Sequence, residues 1–286
     1  MRGKLLISCL IFCTTFAFGQ IGSLYPDQLS SYFYNPSFIN PAYIPEDGSG
    51  KAAFLSKVRS GMYSDIMTLG AGLQQTFNSE GNQWHSVKVL LLNEKEGPYI
   101  STPRFYGNYS IYIPINRDMK LLGGFSLGMV NPNYTTPSRT ISTVLVDGAI
   151  GVLLRYKTSA LGVSSNQILN NSSTDNSAIR LRRYYSTQFS STKALNHNTA
   201  IKINLAWWYF TDIPSQLTGS TSILLDNTIE VGGGYHNING LFMLAAFTAD
   251  SEGKHPLTIG ALYNSTFLAG NNVLGASLEF NVSYGF

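Results

Sequence analysis

Side chains able to do chemistry are sparse in this 286-residue chain. The four histidines, His85, His197, His236 and His255, stand far apart, show no i, i+3 or i, i+4 pairing and have no cysteine partners, which is not the ligand spacing of a zinc site. They read as isolated polar groups on strands or loops. Gly232-Gly233-Gly234 lacks the Lys-Ser/Thr sequel of a phosphate loop, and no helical pattern follows it. It reads instead as a place where a strand kinks or a lumen side chain comes close. There is no Gly-x-Ser-x-Gly elbow, and no Asp or Glu pair is spaced for acid/base work. No catalytic, metal or cofactor residue is assigned, and an enzyme is not expected.

Composition narrows the class. The chain is 44% hydrophobic and 13% aromatic but only 12% charged, about half the charged fraction of an ordinary soluble domain. That argues against disorder. The formal charge is +3, from 19 basic and 16 acidic side chains, so the long basic tracts of nucleic-acid binders are missing. Met1 to Lys4 form a positive n-region, Leu5 to Phe16 an apolar run, and Ala17-Phe18-Gly19 a small-x-small cleavage site before Gln20. The run is shorter than the roughly 20 residues a spanning helix needs, so residues 1–19 read as a cleaved signal peptide. Cys9 and Cys13, the two cysteines, leave with it, which removes disulfides, Cys-bound zinc and thiol nucleophiles from the mature chain. Reading Cys9 as a lipoprotein cysteine fails because Leu5 to Ile7 is too short an apolar run.

The elements that remain are strands. Beyond residue 20 no apolar stretch reaches 18 residues, and segments of about ten with period-2 alternation recur between Asn, Gly, Asp, Ser and Pro clusters. The last ten residues are the clearest case. Leu278, Phe280, Val282, Tyr284 and Phe286 share one face, while Ser277, Glu279, Asn281, Ser283 and Gly285 share the other. A final strand ending on an aromatic matches the assembly signal of bacterial outer-membrane barrels, carried here by Phe280, Val282, Tyr284 and Phe286. Fourteen candidate strands follow from 51–59 to 274–286, among them 178–189 and 199–210. The predicted architecture is a closed antiparallel transmembrane β-barrel of residues 51–286 in the bacterial outer membrane, since closure satisfies every strand edge that lipid cannot. Parity puts the short links 114–118 and 226–227 on the periplasmic side and the long loops 131–144 and 170–177 outside.

Within this frame, Arg180 and Arg182 would share a face near a rim or the lumen, with Arg183 at the lipid interface. Contact with outer-membrane lipid is the functional reading of that cluster, and solvation at the rim the plain one. Trp207-Trp208-Tyr209-Phe210 fits an aromatic girdle.

Residues 20–50 fit neither period. Pro26, Pro36, Pro41 and Pro45 interrupt them, yet Tyr32, Phe33, Tyr34, Phe38 and Tyr43 supply more anchors than a disordered linker needs. An irregular, ordered segment packed in the barrel mouth or lumen is expected. Within it, Asp27 to Tyr43 resembles the start of mature PorP/SprF-family proteins, type IX secretion outer-membrane proteins of Bacteroidota. Ser30, Tyr32, Asn35, Asn40, Pro41, Ala42 and Tyr43 match the family pattern, and the spacing of Tyr32, Asn35 and Asn40 is kept; Ser31 stands in place of Gln, and Ile44-Pro45 in place of Ala-Gly. The tryptophan-bearing stretch of the first hairpin is absent, with Arg59 as its remnant.

The resemblance implies a non-enzymatic barrel working with type IX secretion. Implied partners are periplasmic ring lipoproteins and an OmpA-like peptidoglycan-binding subunit, or an exported adhesin with a type B C-terminal domain, as in gliding motility. Periplasm-facing Tyr32, Asn35, Asn40, Pro41 and Tyr43 would then bind the partner. The same residues serve equally well as a lumen plug. A diffusion channel or ligand-uptake barrel stays open as a second class, and a soluble periplasmic sandwich as a third.

Overall fold

The computed structural model describes residues 24–46, 48–61, 64–79, 83–135, 137, 139–173, 179–249, 255–267 and 275–286. The signal peptide expected over residues 1–19 lies outside them. Sixteen strands run in chain order: β1 (Lys51–Arg59), β2 (Ile66–Ser79), β3 (Gln83–Glu96), β4 (Ile100–Pro114), β5 (Met119–Val130), β6 (Asn133–Thr135), β7 (Thr140–Ser142), β8 (Leu145–Tyr156), β9 (Ser159–Asn166), β10 (Tyr184–Ala194), β11 (Thr199–Phe210), β12 (Gln216–Leu225), β13 (Ile229–His236), β14 (Gly240–Ala249), β15 (Leu257–Asn264) and β16 (Ser277–Gly285). The short β6 and β7 make a hairpin within the 131–144 connection, paired at one end of β4. The other fourteen form a closed antiparallel ring, β16 pairing with β1 and β3 with β4. Reciprocal hydrogen bonds between Gly50 and Phe286, 2.9 and 3.1 Å, extend the closing seam.

Alternation decides which side chains see lipid. On β11, Leu205, Trp207 and Tyr209 are exposed on the outside, while Asn204, Ala206, Trp208 and Phe210 are buried within. Along β16, Phe280 and Tyr284 point outward, whereas Ser277, Glu279 and Asn281 are buried in the lumen. Lys57 and Lys88 are all but fully buried, yet both stand on the inner face, where water and polar partners replace lipid. The end at which β1 begins and β16 finishes also carries the tight 157–158 and 226–228 turns, the periplasmic side in barrels of this kind. The described parts of the 131–144 and 167–183 connections lie at the opposite, outer end.

Two expectations need correction. The strand expected at 178–189 is β10 at 184–194. Ile179 and Leu181 instead turn inward into a rim cluster with Leu24, Val130 and Leu145, and the stretch is held by Leu181 N–H to Asn171 O (2.7 Å) and Ser173 N–H to Ile179 O (2.9 Å). Arg180 to Arg183 therefore belong to the outer rim and not to a strand. The aromatic run 207–210 does not form a girdle as a unit, because strand pleating sends Trp208 and Phe210 into the lumen.

Candidate functional site: the lumenal plug

Residues 24–46 pass down the lumen from the outer rim towards the inner end, where residues 48–50 lead into β1. Proline keeps this segment from adding to the sheet, and two 3-10 turns, Tyr32–Tyr34 and Pro36–Phe38, give it local form. The second begins on Pro36, whose fixed φ suits a helical first position.

At the outer level, Leu24 N–H donates to Arg180 O (3.0 Å) and the Gln167 amide donates to Leu24 O (2.8 Å). The Tyr25 hydroxyl donates to the Asp212 carboxylate; burial, and then this bond, pushes the phenol up to about 12. Asp27 accepts from Lys57 Nζ (3.0 Å) and Thr68 Oγ1 (3.1 Å), while its own N–H donates to Glu94, the carboxylate that Arg104 holds at 2.7 Å.

Burial alone would raise the Asp27 carboxyl, but the charges of Lys57 and Arg59, and the bonds from Lys57 and Thr68, outweigh it and hold the group below its usual range. A depressed folded value means that the carboxylate stabilises the fold fully above the ordinary Asp value of about 3.9 and loses that contribution as pH falls through the lower folded value. Acidification below about pH 4 should therefore loosen the outer part of the plug. Amide hydrogen exchange over residues 24–30, corrected for the intrinsic pH dependence of exchange, checks this: protection factors should fall in acid for the native chain, and Asp27→Asn should show lower protection at neutral pH with a flatter acid dependence. Identical profiles for the two proteins would refute it.

One layer down, Ser30 and Ser31 N–H donate to the two oxygens of Glu279 (3.1 and 2.9 Å), and Asn264 adds a third donor at 3.1 Å. Ser30 Oγ donates to Asn264 Oδ1 (2.7 Å). Tyr32 meets Trp208 edge to face at 5.7 Å between ring centres. Asn35 donates to Asn281 Oδ1 (3.0 Å).

Mid-lumen, the Asn40 amide donates to Val152 O and Val163 O (3.3 and 3.4 Å), while its own oxygen accepts Ala42 N–H (2.9 Å), a local turn typical of Asn. Pro41 O accepts both Lys88 Nζ (2.8 Å) and Ser110 Oγ (2.6 Å). Asn40 and Pro41 reach the wall because Gly124, Gly151 and Gly162 of β5, β8 and β9 have no side chains there. A β-carbon at Gly151 would overlap Asn40 Oδ1, one at Gly162 would crowd Asn40 Nδ2, and one at Gly124 would crowd Pro41 O. Below this notch, Ala42 and Ile44 pack on Tyr112, Leu122 and Leu153. Arg155 donates to Ile44 O (3.0 Å) at the inner end.

The plug leaves space at several levels. An outer cavity of about 320 Å³ is bordered by Arg59, Thr68 and Glu94. Two small ones of about 50 and 60 Å³ flank Phe38 and Ile39. An inner cavity of about 180 Å³ is bordered by Tyr43, Arg155 and Lys202.

The structure thus brings together Tyr32, Asn35, Asn40, Pro41 and Tyr43, but not on a periplasmic surface. The first four are buried in the lumen, and Tyr43 is half-buried nearer the inner mouth. That corrects the expectation that they face the periplasm: the inward polar side chains of the wall hold the segment inside. Sequence reading did not find Lys88, Glu279 or the glycine notch. The available signal was a charged side chain in the inward phase of a strand whose other phase is aromatic or aliphatic. The histidines are structural where their contacts are defined: His236 Nδ1 accepts Ile238 N–H and Asn239 N–H (3.1 and 3.3 Å), and His85 bonds Tyr109 at 2.6 Å. Among the described residues no group of three or more His, Cys, Asp or Glu could hold a metal ion.

A sealed ring of lipid-facing strands around an inner polar plug defines a bacterial outer-membrane barrel. Solved structures agree on the fold. The Pseudomonas putida toluene transporter TodX superposes with TM-score 0.54 at 8% identity, over 92% of this chain and 95% of that one. The Ralstonia pickettii toluene transporter TbuX gives 0.56 at 6%, over 87% and 92%. Omp33, an Acinetobacter baumannii outer membrane protein, gives 0.52 at 11%, over 83% and 98%. No curated protein sequence matches. A sequence profile described as type IX secretion system membrane protein PorP/SprF matches residues 21–284. The chain belongs to the PorP/SprF family, and its place is the outer membrane.

Proposed function

We propose that this chain is a non-enzymatic, plugged scaffold of type IX secretion that anchors a partner at the outer membrane or assists its export. One observation carries the reading: a lumenal segment is bonded to the wall at successive levels, through Lys57, Glu279, Lys88 and Arg155, so buried polar groups of the wall hold a plug in the path a solute would take. A rigid barrel with a pre-ordered plug presents its two rims at low entropic cost to a binding partner. The partners that fit are periplasmic ring lipoproteins with an OmpA-like peptidoglycan-binding subunit, or a type B C-terminal-domain adhesin of the kind used in gliding motility. Tyr32, Asn35, Asn40 and Pro41 would act through the plug they shape, with Tyr43 nearest the inner mouth.

Affinity capture of the tagged full-length protein from gently solubilised membranes tests this. Asn40→Ala and Tyr43→Ala should lose the secretion partners while the barrel stays heat-modifiable on gels. Loss of barrel assembly itself would leave these residues a structural role only.

The second reading, a ligand-uptake barrel, draws on the printed names of TodX and TbuX, both toluene transporters. Planar-bilayer recording separates the two. A silent bilayer fits the plugged scaffold, and steady open-channel current from the native protein would overturn it.

A further inference from the structure

On the outer surface, above the lipid-facing end of β10, lies an open hollow of about 500 Å³ bordered by Asn170, Arg180, Arg182, Arg183, Tyr185 and Thr211. Its height is set by aromatics. Tyr185, Tyr209 and Trp207 are 43%, 44% and 46% exposed on the outer face, with ring centres 6.4 Å apart for Tyr185 and Tyr209 and 5.9 Å for Trp207 and Tyr209. Such clusters sit at the boundary between hydrocarbon and head groups. The hollow opens directly above that boundary, at the outer end of the barrel.

Among the described residues the charge there is only partly paired. Arg182 pairs with Asp212 at 3.2 Å, and Asp212 also accepts the Tyr25 hydroxyl. Arg183 spends one N–H on Ile168 O (2.8 Å) and has no carboxylate partner among the described residues. Arg180 is exposed, and among the described residues its side chain has no counter-ion. Ile179 and Leu181 anchor the stretch by turning inward, so the guanidinium groups at 180 and 182 are displayed by a pinned backbone rather than a loose tip. Guanidinium groups bind phosphate oxygens through paired hydrogen bonds, and basic clusters beside a membrane surface pair with anionic head groups.

We propose that this hollow binds the phosphate-bearing head group of an outer-leaflet glycolipid of the lipid A type. Tyr185 and Tyr209 line the acyl-chain side, while Arg180 and Arg183 take the phosphate. The lipid then covers the seam between residues 179–183 and the end of β11, the same seam that holds Leu24 and Tyr25 at the top of the plug.

Native mass spectrometry of the full-length protein, titrated with diphosphoryl lipid A, monophosphoryl lipid A and phosphatidylglycerol, tests this. Diphosphoryl lipid A should bind tightest, and R180Q/R183Q should weaken it about tenfold, a change of about 1.4 kcal/mol. Arg182 is left intact because it holds Asp212. The proposal is overturned by wild-type affinity in the double variant, by equal binding of phosphatidylglycerol, or by displacement of the lipid with millimolar inorganic phosphate, which would mark a free-phosphate site. The comparison of lipids on the unaltered protein needs no variant to fold.

Discussion

Replacing Gly151 by valine should unseat the plug while leaving the barrel standing. The new β-carbon would overlap Asn40 Oδ1 and lie 3.1 Å from Pro41 Cδ, so the Asn40 side chain must leave its seat. Overpacking of this kind costs about 1–3 kcal/mol. Valine itself suits a strand, so the ring is not penalised by the exchange. Asn40 then loses its bonds to Val152 O and Val163 O, and Pro41 O moves away from Lys88 and Ser110. The expected result is a silent native protein, measurable single-channel current in Gly151→Val, and unchanged heat-modifiability in both. Gly107→Val is the control, since Gly107 faces outward and a β-carbon there meets only Leu127 O at 3.9 Å. A silent Gly151→Val bilayer with undiminished protease protection of residues 24–50 would mean that the notch does not seat the plug.

Glu279→Ala should be the most destabilising single truncation among the wall's polar side chains that contact the plug. Glu279 has no exposed surface and accepts three donors, two of them the backbone N–H groups of Ser30 and Ser31. An unsatisfied buried donor costs about 1–3 kcal/mol, and the contributions are not additive, so a total of about 2–5 kcal/mol is expected. Glu279→Gln keeps one acceptor oxygen and should lose roughly half as much. The midpoint of the heat-modifiability transition reads this directly. A midpoint for Glu279→Ala within experimental scatter of the native value would mean that water replaces the carboxylate and that the plug is held elsewhere. Because Glu279 lies on the strand that closes the ring, the same variant should also accelerate amide exchange at Gly50 and Phe286, which bond across the seam.

These two substitutions probe different kinds of contact. Gly151 acts by absence of volume, and Glu279 by presence of acceptors. Both belong to the wall and act on a segment distant in sequence, so neither effect is expected from strand propensity alone.

Much of the barrel was legible because its rule is local. A strand shows its two faces with period two whatever surrounds it, so the alternation of Leu278, Phe280, Val282 and Tyr284 against Ser277, Glu279 and Asn281 needs no knowledge of neighbours. Fourteen such segments, read one at a time, yield the ring, and the Asp27–Tyr43 pattern yields the family. Failures came where a residue's role depended on a partner far along the chain. Arg180 to Arg183 looked like strand because Ile179 and Leu181 are good strand residues, yet both are drawn into a rim cluster by Leu24, Val130 and Leu145. Trp208 seemed a girdle residue until Tyr32 met it inside.

Chain chemistry by itself determined that this protein has lipid-facing strands, a proline-broken leading segment and a PorP/SprF-like motif. Only the closed tertiary structure decided that the motif lies in the lumen, with Asn40 in a glycine notch and Ser31 bonded to a carboxylate 248 residues away. The physical reason is that period and turn chemistry are properties of neighbouring residues, whereas the satisfaction of a buried amide or charge is fixed only when ring closure sets which inward side chain stands opposite which turn of the plug.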